Sequence, residues 1–248
     1  MSGHSKWATI KRSKGKTDAA RGKLFNRLIR EITIAARMGG GDINANPRLR
    51  SAVASARTAN MPNKNIESAI QKGTGQLEGV SYEEITFEGY GPGGIAVMIE
   101  CMTDNRNRTV SEVRHALTKH GGNLGQSNSV AWMFKSKGII RIVKDAMDEE
   151  KLMETVLEAG AADMQLDGDE YEVTTSPEGF ENVRAALESV NVQPSSAEVA
   201  KVADNPVKVE GENVSKVIHL MEALDDLDDT QHVYANYDIS DEDMEKYS

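Results

Sequence analysis

Cysteine is almost missing from this chain of 248 residues. With Cys101 alone, no intramolecular disulfide framework can form, and the expected compartment is a reducing one, the cytoplasm. No apolar run approaches the roughly 20 residues needed to span a bilayer, and the N-terminus lacks the apolar core of a secretory signal. Histidines are few and scattered: none of His4, His115, His120, His219 and His232 is spaced with a Cys or carboxylate as zinc or iron requires. There is no nucleophile-elbow sequence, and Cys101 closes an apolar stretch, where a thiol is expected to serve as a small buried hydrophobe. The glycine-rich GYGPGG (89–94) lacks both the lysine and the following capped helix of a phosphate-binding loop, so it is expected to be a turn between strands. No cofactor, no metal and no catalytic residue is expected.

What the chain does have is uneven charge. Its formal net charge is −10, yet residues 1–75 hold 15 Lys and Arg against 4 Asp and Glu, leaving 14 against 35 beyond them. A basic front is joined to an acidic body, a distribution that points to a polyanionic partner such as nucleic acid rather than to any fold; the plain alternative is a solvated tail.

The basic front begins as an arm. Residues 1–16 show no helical or strand period, with Trp7 and Ile10 as the only bulky apolar residues. Lys6, Lys11, Arg12, Lys14 and Lys16, with His4, suit contacts to phosphates, and Trp7 suits stacking on a base or ribose. From Thr17 or Asp18 a helix is expected to run to Met38 and stop at Gly39–Gly41. Leu24, Phe25, Leu28, Ile29, Ile32 and Ala36 fall on one face, while Lys23, Arg27, Arg30 and Arg37 fall opposite as a basic stripe, with Arg21 near its start. Asn46-Pro47 opens a second helix ending near Asn60, and Asn63 caps a short third one that Gly73 ends. Residues 73–79 then read as a linker.

Beyond the linker the apolar period changes to two. A hairpin bends at GYGPGG, a helix capped by Asn107 or Thr109 ends at Gly121-Gly122, and SVAWMF (129–134) reads as another strand. Strand 139–143, helix 148–159, strand 170–174, helix 177–190 and strand 198–202 follow, with a further strand at 164–166; this order suggests a βαββαβ, ferredoxin-like unit. A last helix bearing Val214, Val217, Ile218, Met221 and Leu224 and a strand near 233–237 would complete the domain interrupted at residue 135.

Two polar stretches remain. TDNRNRT (103–109) lies where an apolar strand gives way to a helix, so Arg106 and Arg108 can meet phosphates beside a helix N-terminus; equally, the stretch can be a polar loop with a cap and a local pair to Asp104. The acidic runs 225–229 and 241–245 read as solvated faces or tail.

The segments GHSKW (3–7), RGKLFNRLIREI (21–32), NMPNKNIE (60–67), EGYGPGG (88–94), TDNRNRT, GGNLG (121–125) with SVAWMF, and DDTQHVYAN (228–236) together resemble the YebC/PmpR family of bacterial proteins, which includes mitochondrial translational activators. One departure is Asn128, where the family pattern has glycine. The resemblance implies three domains and no enzymatic activity, and either of two roles: transcriptional regulators that bind promoter DNA, or ribosome-associated translation factors that help synthesis through proline-rich stretches.

The expected protein is α+β, with an N-terminal helical bundle and two ferredoxin-like α/β domains, one inserted in the other. Its parts are a flexible basic arm (1–16), a helical domain (17–75), an α/β domain (79–135 with 206–238), the inserted domain (136–205) and an acidic tail (239–248). It is expected to be a cytoplasmic, monomeric, non-enzymatic regulator of gene expression that binds promoter DNA or ribosomal RNA. An enzyme working through Asp104, Arg106 and Arg108, and a protein scaffold working through acidic faces, are the competing classes.

Overall fold

A computed structural model describes residues 18–246. Helix α1 (Asp18–Gly39) begins where its period predicts. Its inward face is Phe25, Leu28, Ile29, Ile32, Ala35 and Ala36, whereas Leu24, expected on that face, is exposed. Helix α2 (Pro47–Thr58) starts with proline at its first turn, and Asn46 caps it by accepting the Leu49 N–H at 3.1 Å. Helix α3 (Asn63–Gly73) starts one residue earlier than expected, with Pro62 at the cap and Asn63 already inside. Leu49, Val53, Ile66 and Ala69 close a core against α1. α3 crosses α1 closely because Gly73 has no side chain: a Cβ there would stand 2.4 Å from the Thr33 carbonyl oxygen.

The alternating segment forms β1 (Glu83–Tyr90) and β2 (Ala96–Thr103), paired in register from Glu83↔Thr103 to Tyr90↔Ala96. GYGPGG is the turn between them, with Gly93 and Gly94 at φ 74° and 77°, a region that favours glycine. After helix α4 (Arg106–Lys119) the third strand is the short β3 (Asn123–Leu124) against β1. SVAWMF is therefore not the strand its composition suggests: Ser129–Val130 is irregular and Ala131–Met133 is a 3₁₀ turn. The backbone N–H groups of Asn128, Val130 and Ala131 donate to the buried Glu88 carboxylate at 2.7–2.8 Å, which bends the segment out of any ladder. Burial opposes ionisation of Glu88, but these three hydrogen bonds prevail and hold its carboxyl below the ordinary range. Asn128 has φ 67°, so the position where the family pattern has glycine does require a left-handed backbone, which asparagine tolerates.

Helix α7 (Glu212–Asp225) and β9 (Thr230–Ala235) complete this layer, giving an antiparallel sheet in the order β3-β1-β2-β9. Ile99, Cys101 and Val233 pack from the sheet against Val113, Leu117, Val217 and Leu220 of α4 and α7. Up to residue 245 the expected acidic tail is packed: β10 (Tyr237–Asp238) pairs with β8 (Val207–Lys208), and Ile239 and Met244, the latter in helix α8 (Asp241–Glu245), are buried in the same core.

By internal contacts Trp132–Asp204 is a unit of its own, and the chain up to Ala131 with that from Asn205 onward is the other. Within the inserted unit, β4 (Phe134–Val143), α5 (Glu149–Glu158), β5 (Asp163–Asp167), β6 (Glu170–Thr175), α6 (Phe180–Ser189) and β7 (Ser196–Ala203) give a sheet in the order β5-β6-β4-β7, all antiparallel. This is the ferredoxin-like arrangement. Ile140, Leu152, Val173 and Leu187 lie in its core, and the buried Arg141 meets Asp167, Glu170 and Glu172 across the strands. The chain is α+β throughout, and no described helix is long and apolar enough to cross a membrane.

Gly73→Ala is expected to lower the stability of the full chain by about 1–3 kcal/mol through overpacking of α3 on α1, as read from urea unfolding followed by circular dichroism.

Candidate functional site

Lys23, Arg27 and Arg30 of α1, opposite its core, meet the C-terminal end of α7 and the residues that follow it, whereas Arg37 donates to Ser81 Oγ and the Tyr82 carbonyl. Lys23 Nζ lies 2.6 Å from Asp226 Oδ1 and 3.0 Å from the Asp226 carbonyl oxygen. Arg27 reaches Asp225 Oδ1 at 3.2 Å and donates to the Asp225 carbonyl. Arg30 reaches Asp229 Oδ1 at 3.2 Å, donates to the Asp228 carbonyl, and lies over the Tyr82 ring, 5.6 Å from its centroid. A helix C-terminus leaves carbonyls unsatisfied and carries partial negative charge, so acids there are disfavoured unless cations join them. α1 supplies those cations. Lys23, Arg27 and Arg30, expected as nucleic-acid contacts, and the Asp225–Asp229 run, expected to be a solvated face, are two sides of one contact.

At its centre the Asp229 side chain is fully buried. Its carboxylate accepts from Thr103 Oγ1 at 3.0 Å, Thr109 Oγ1 at 2.7 Å and Arg108 Nη2 at 2.8 Å. Burial disfavours the charged form, but the hydrogen bonds from Arg108, Thr109 and Thr103 and the charge of Arg30 outweigh it and keep the carboxyl below the usual carboxylate range. TDNRNRT is built for this socket. Asn105, not Asn107 or Thr109, caps α4 by accepting the Arg108 N–H at 3.1 Å. The helix therefore begins at Arg106, which places Thr109 inside its first turn, facing Thr103 on the end of β2. Arg108 also pairs with Asp104 at 2.8 Å, so of the two readings of this stretch the structure has the cap and the local pair. Arg106 stays 65% exposed, with Glu83 no nearer than 3.9 Å. Asp104 and Arg108, two of the three groups an enzyme reading would need, are thus spent on each other and on Asp229.

The remaining expected contacts divide into two sets. His4, Lys6, Trp7, Lys11, Arg12, Lys14 and Lys16 lie outside the described residues. Arg21 is exposed, its guanidinium 5.8 Å from the centre of the Phe25 ring. Cations not singled out from the sequence are the more open ones: Arg50, Arg57, Lys64 and Lys72 on α2 and α3 are exposed, and among the described residues none has a carboxylate partner. Arg48, by contrast, is tied to Glu31 at 2.7 Å and to Glu84 at 2.6 Å. The signal for the α2–α3 cations was present in the sequence, since residues 47–73 contain Arg or Lys at five positions and one acid, Glu67.

These features define a multidomain α+β protein whose helical N-terminal domain bears open cations, with no three His, Cys, Asp or Glu grouped to hold a metal among the described residues. Residues 5–76 match the TACO1/YebC protein N-terminal domain and residues 82–237 match the TACO1/YebC second and third domain, so the chain belongs to the TACO1/YebC family. A probable transcriptional regulatory protein of Geobacter sulfurreducens is 58% identical over 246 residues, covering 99% of each chain. Another of the same description from Koribacter versatilis is 56% identical over 246 residues, again with 99% of each covered. The crystal structure of a conserved hypothetical protein from Aquifex aeolicus superposes with a TM-score of 0.83 at 48% identity, covering 92% of this chain and 94% of that one.

Asp229→Asn is expected to cost about 3 kcal/mol, because it leaves the largely buried Arg30 and the half-exposed Arg108 short of their counter-charge. The sign of the pH effect follows from the lowered pKa. The Asp229 contribution is complete above the unfolded-state value near ~3.9 and is lost as pH falls through the lower folded-state value. Urea titrations from pH 6 downward should therefore show a shallower acid loss in the variant than in the parent.

Proposed function

We propose that this protein is a non-enzymatic, cytoplasmic regulator of gene expression that binds nucleic acid, with promoter DNA as the target. The observation that carries the reading is the set of exposed cations Arg50, Arg57, Lys64 and Lys72, which keep no acidic partner among the described residues while other arginines of the same domain do. Nucleic-acid affinity comes mainly from phosphate contacts, and cations already neutralised inside the chain contribute little to it. The α2–α3 cations, together with the Lys- and Arg-rich sequence 6–16, supply such contacts, and the description of the relatives as probable transcriptional regulatory proteins supports the transcriptional role. The interaction is largely electrostatic, so affinity should fall steeply with salt. The protein acts as a monomer.

The test compares three variants in binding titrations on a DNA duplex and on a ribosomal RNA fragment across salt. Lys11→Ala/Arg12→Ala/Lys14→Ala/Lys16→Ala and, separately, Arg57→Ala/Lys64→Ala should each weaken binding, lowering the salt slope on B-DNA by about 0.9 for every phosphate that is no longer neutralised. Arg27→Ala should lower stability and leave the slope nearly unchanged. Unaltered affinity and slope in both basic variants would refute nucleic-acid binding. Preference for the RNA would replace the DNA target with the ribosome. Crosslinking in cells followed by sequencing then identifies the bound promoters or ribosomal RNA.

A further inference from the structure

Tryptophan is highly buried on average, yet Trp132 is 68% exposed. It does not sit on a frayed end. Val130 and Phe134 beside it are buried, the Ala131 N–H donates to Glu88 at 2.8 Å, and the Met133 carbonyl accepts the Asp204 N–H at 3.3 Å. The backbone on either side of the ring is therefore fixed, and the 3₁₀ turn Ala131–Met133 holds the indole outward where the inserted unit begins. The charge of that unit is polarised towards the same end. Residues 132–204 carry 7 Lys and Arg against 16 Asp and Glu, but residues 132–137 and 200–204 hold Lys135, Lys137 and Lys201 against Asp204 alone. Pairing of β4 with β7 brings the three lysines together, with Lys135↔Val202, Ser136↔Lys201 and Lys137↔Ala200 in register. Lys135 and Lys137 share the Asp204 carboxylate at 2.5 and 3.7 Å, and Lys201 donates to Ser136 Oγ at 2.9 Å, so this end keeps a surplus of positive charge.

An aromatic anchor for a protein partner sits among apolar neighbours that exclude water, whereas the exposed residues that follow Trp132 are Lys135 and Ser136. A fixed, solvent-facing ring next to surplus lysines instead matches what single-stranded nucleic acid requires: the ring takes the face of a base and the cations take the phosphates. We propose that Trp132 is the stacking platform for one unpaired nucleobase, with Lys135, Lys137 and Lys201 on the flanking phosphates. In an intact duplex the neighbouring bases cover both faces of each base, so the site takes single-stranded or looped DNA or RNA. The proposal rests on the nucleic-acid reading above and narrows it, because it requires bases that are unpaired at the contact.

Two titrations of the full chain test the site. In the first, Trp7→Phe removes the other tryptophan, and Trp132 fluorescence is followed on adding a short DNA strand, the RNA strand of the same sequence, the DNA duplex, or an abasic DNA strand of the same length. The two base-bearing strands should quench the emission saturably, and the duplex and abasic strand should not. In the second, anisotropy of the labelled strands gives affinities. Trp132→Ala should weaken single-strand binding about fivefold to a hundredfold, with Trp132→Phe recovering most of the loss. It should leave duplex binding and the salt slope as they are, because stacking releases no counterions. Lys135→Gln/Lys137→Gln/Lys201→Gln should lower the slope instead. The tighter of the DNA and RNA strands names the source of the base. Quenching by the abasic strand equal to that by the base-bearing strands overturns the site, as does parental single-strand affinity in Trp132→Ala or a parental salt slope in the lysine variant. Nucleic-acid binding that leaves Trp132 emission unmoved overturns the stacking site alone, whereas a parent that binds none of the strands overturns the nucleic-acid reading with it.

Discussion

The Asp229 carboxylate is the constraint on which the arrangement of the first unit depends. A charge taken fully out of water costs several kcal/mol unless its partners are well placed, so every group around it has little freedom. Those groups come from three elements: Thr103 at the end of β2, Arg108 and Thr109 in the first turn of α4 just after it, and Arg30 on α1, more than 70 residues earlier. The two hydroxyls reach one carboxylate oxygen only because α4 begins at Arg106, and it begins there because Asn105 caps it. One buried acid thus ties together the end of β2, the first turn of α4 and the basic face of α1.

The same contact joins the helical domain to the sheet domain, and its members are unequal. Lys23 and Asp226 are 40% and 74% exposed at the side chain, and a pair of that kind contributes about 0–1 kcal/mol. Arg27 and Arg30 are each 14% exposed and donate to backbone carbonyls at and beyond the end of α7, so removing either takes away a carbonyl hydrogen bond as well as a largely desolvated ion pair. Their loss should register in stability, where the loss of Lys23 should not.

Local signals were legible and long-range ones were not. Proline and asparagine at α2, the glycine turn after β1, and the alternation of helical and strand periods across the inserted unit all act within a few residues, and each element stands where its signal lies. At Asn128 it was the family resemblance, not a local signal, that marked a glycine position, and the backbone there is left-handed. SVAWMF misled because composition favours a strand while Glu88, about 40 residues earlier in sequence, collects its N–H groups. The Asp225–Asp229 run misled for a similar reason. Acids in sequence look solvated, and nothing near them tells that arginines some 200 residues away will arrive.

Charge along this chain is therefore not the same as charge available to a partner. Part of the contrast between a basic front and an acidic body is satisfied internally, where α1 meets α7, and again where Arg48 meets Glu31 and Glu84. What remains open on the helical domain is the other side, on α2 and α3. A polyanion approaching the basic face of α1 would have to displace Asp225 and Asp229, the second from a fully buried socket, whereas one approaching Arg57 and Lys64 displaces only water and counterions. On the proposed reading, the acidic run does more than hold the domain in place: it selects, by occupying one basic face, which other face of the same domain a nucleic acid meets.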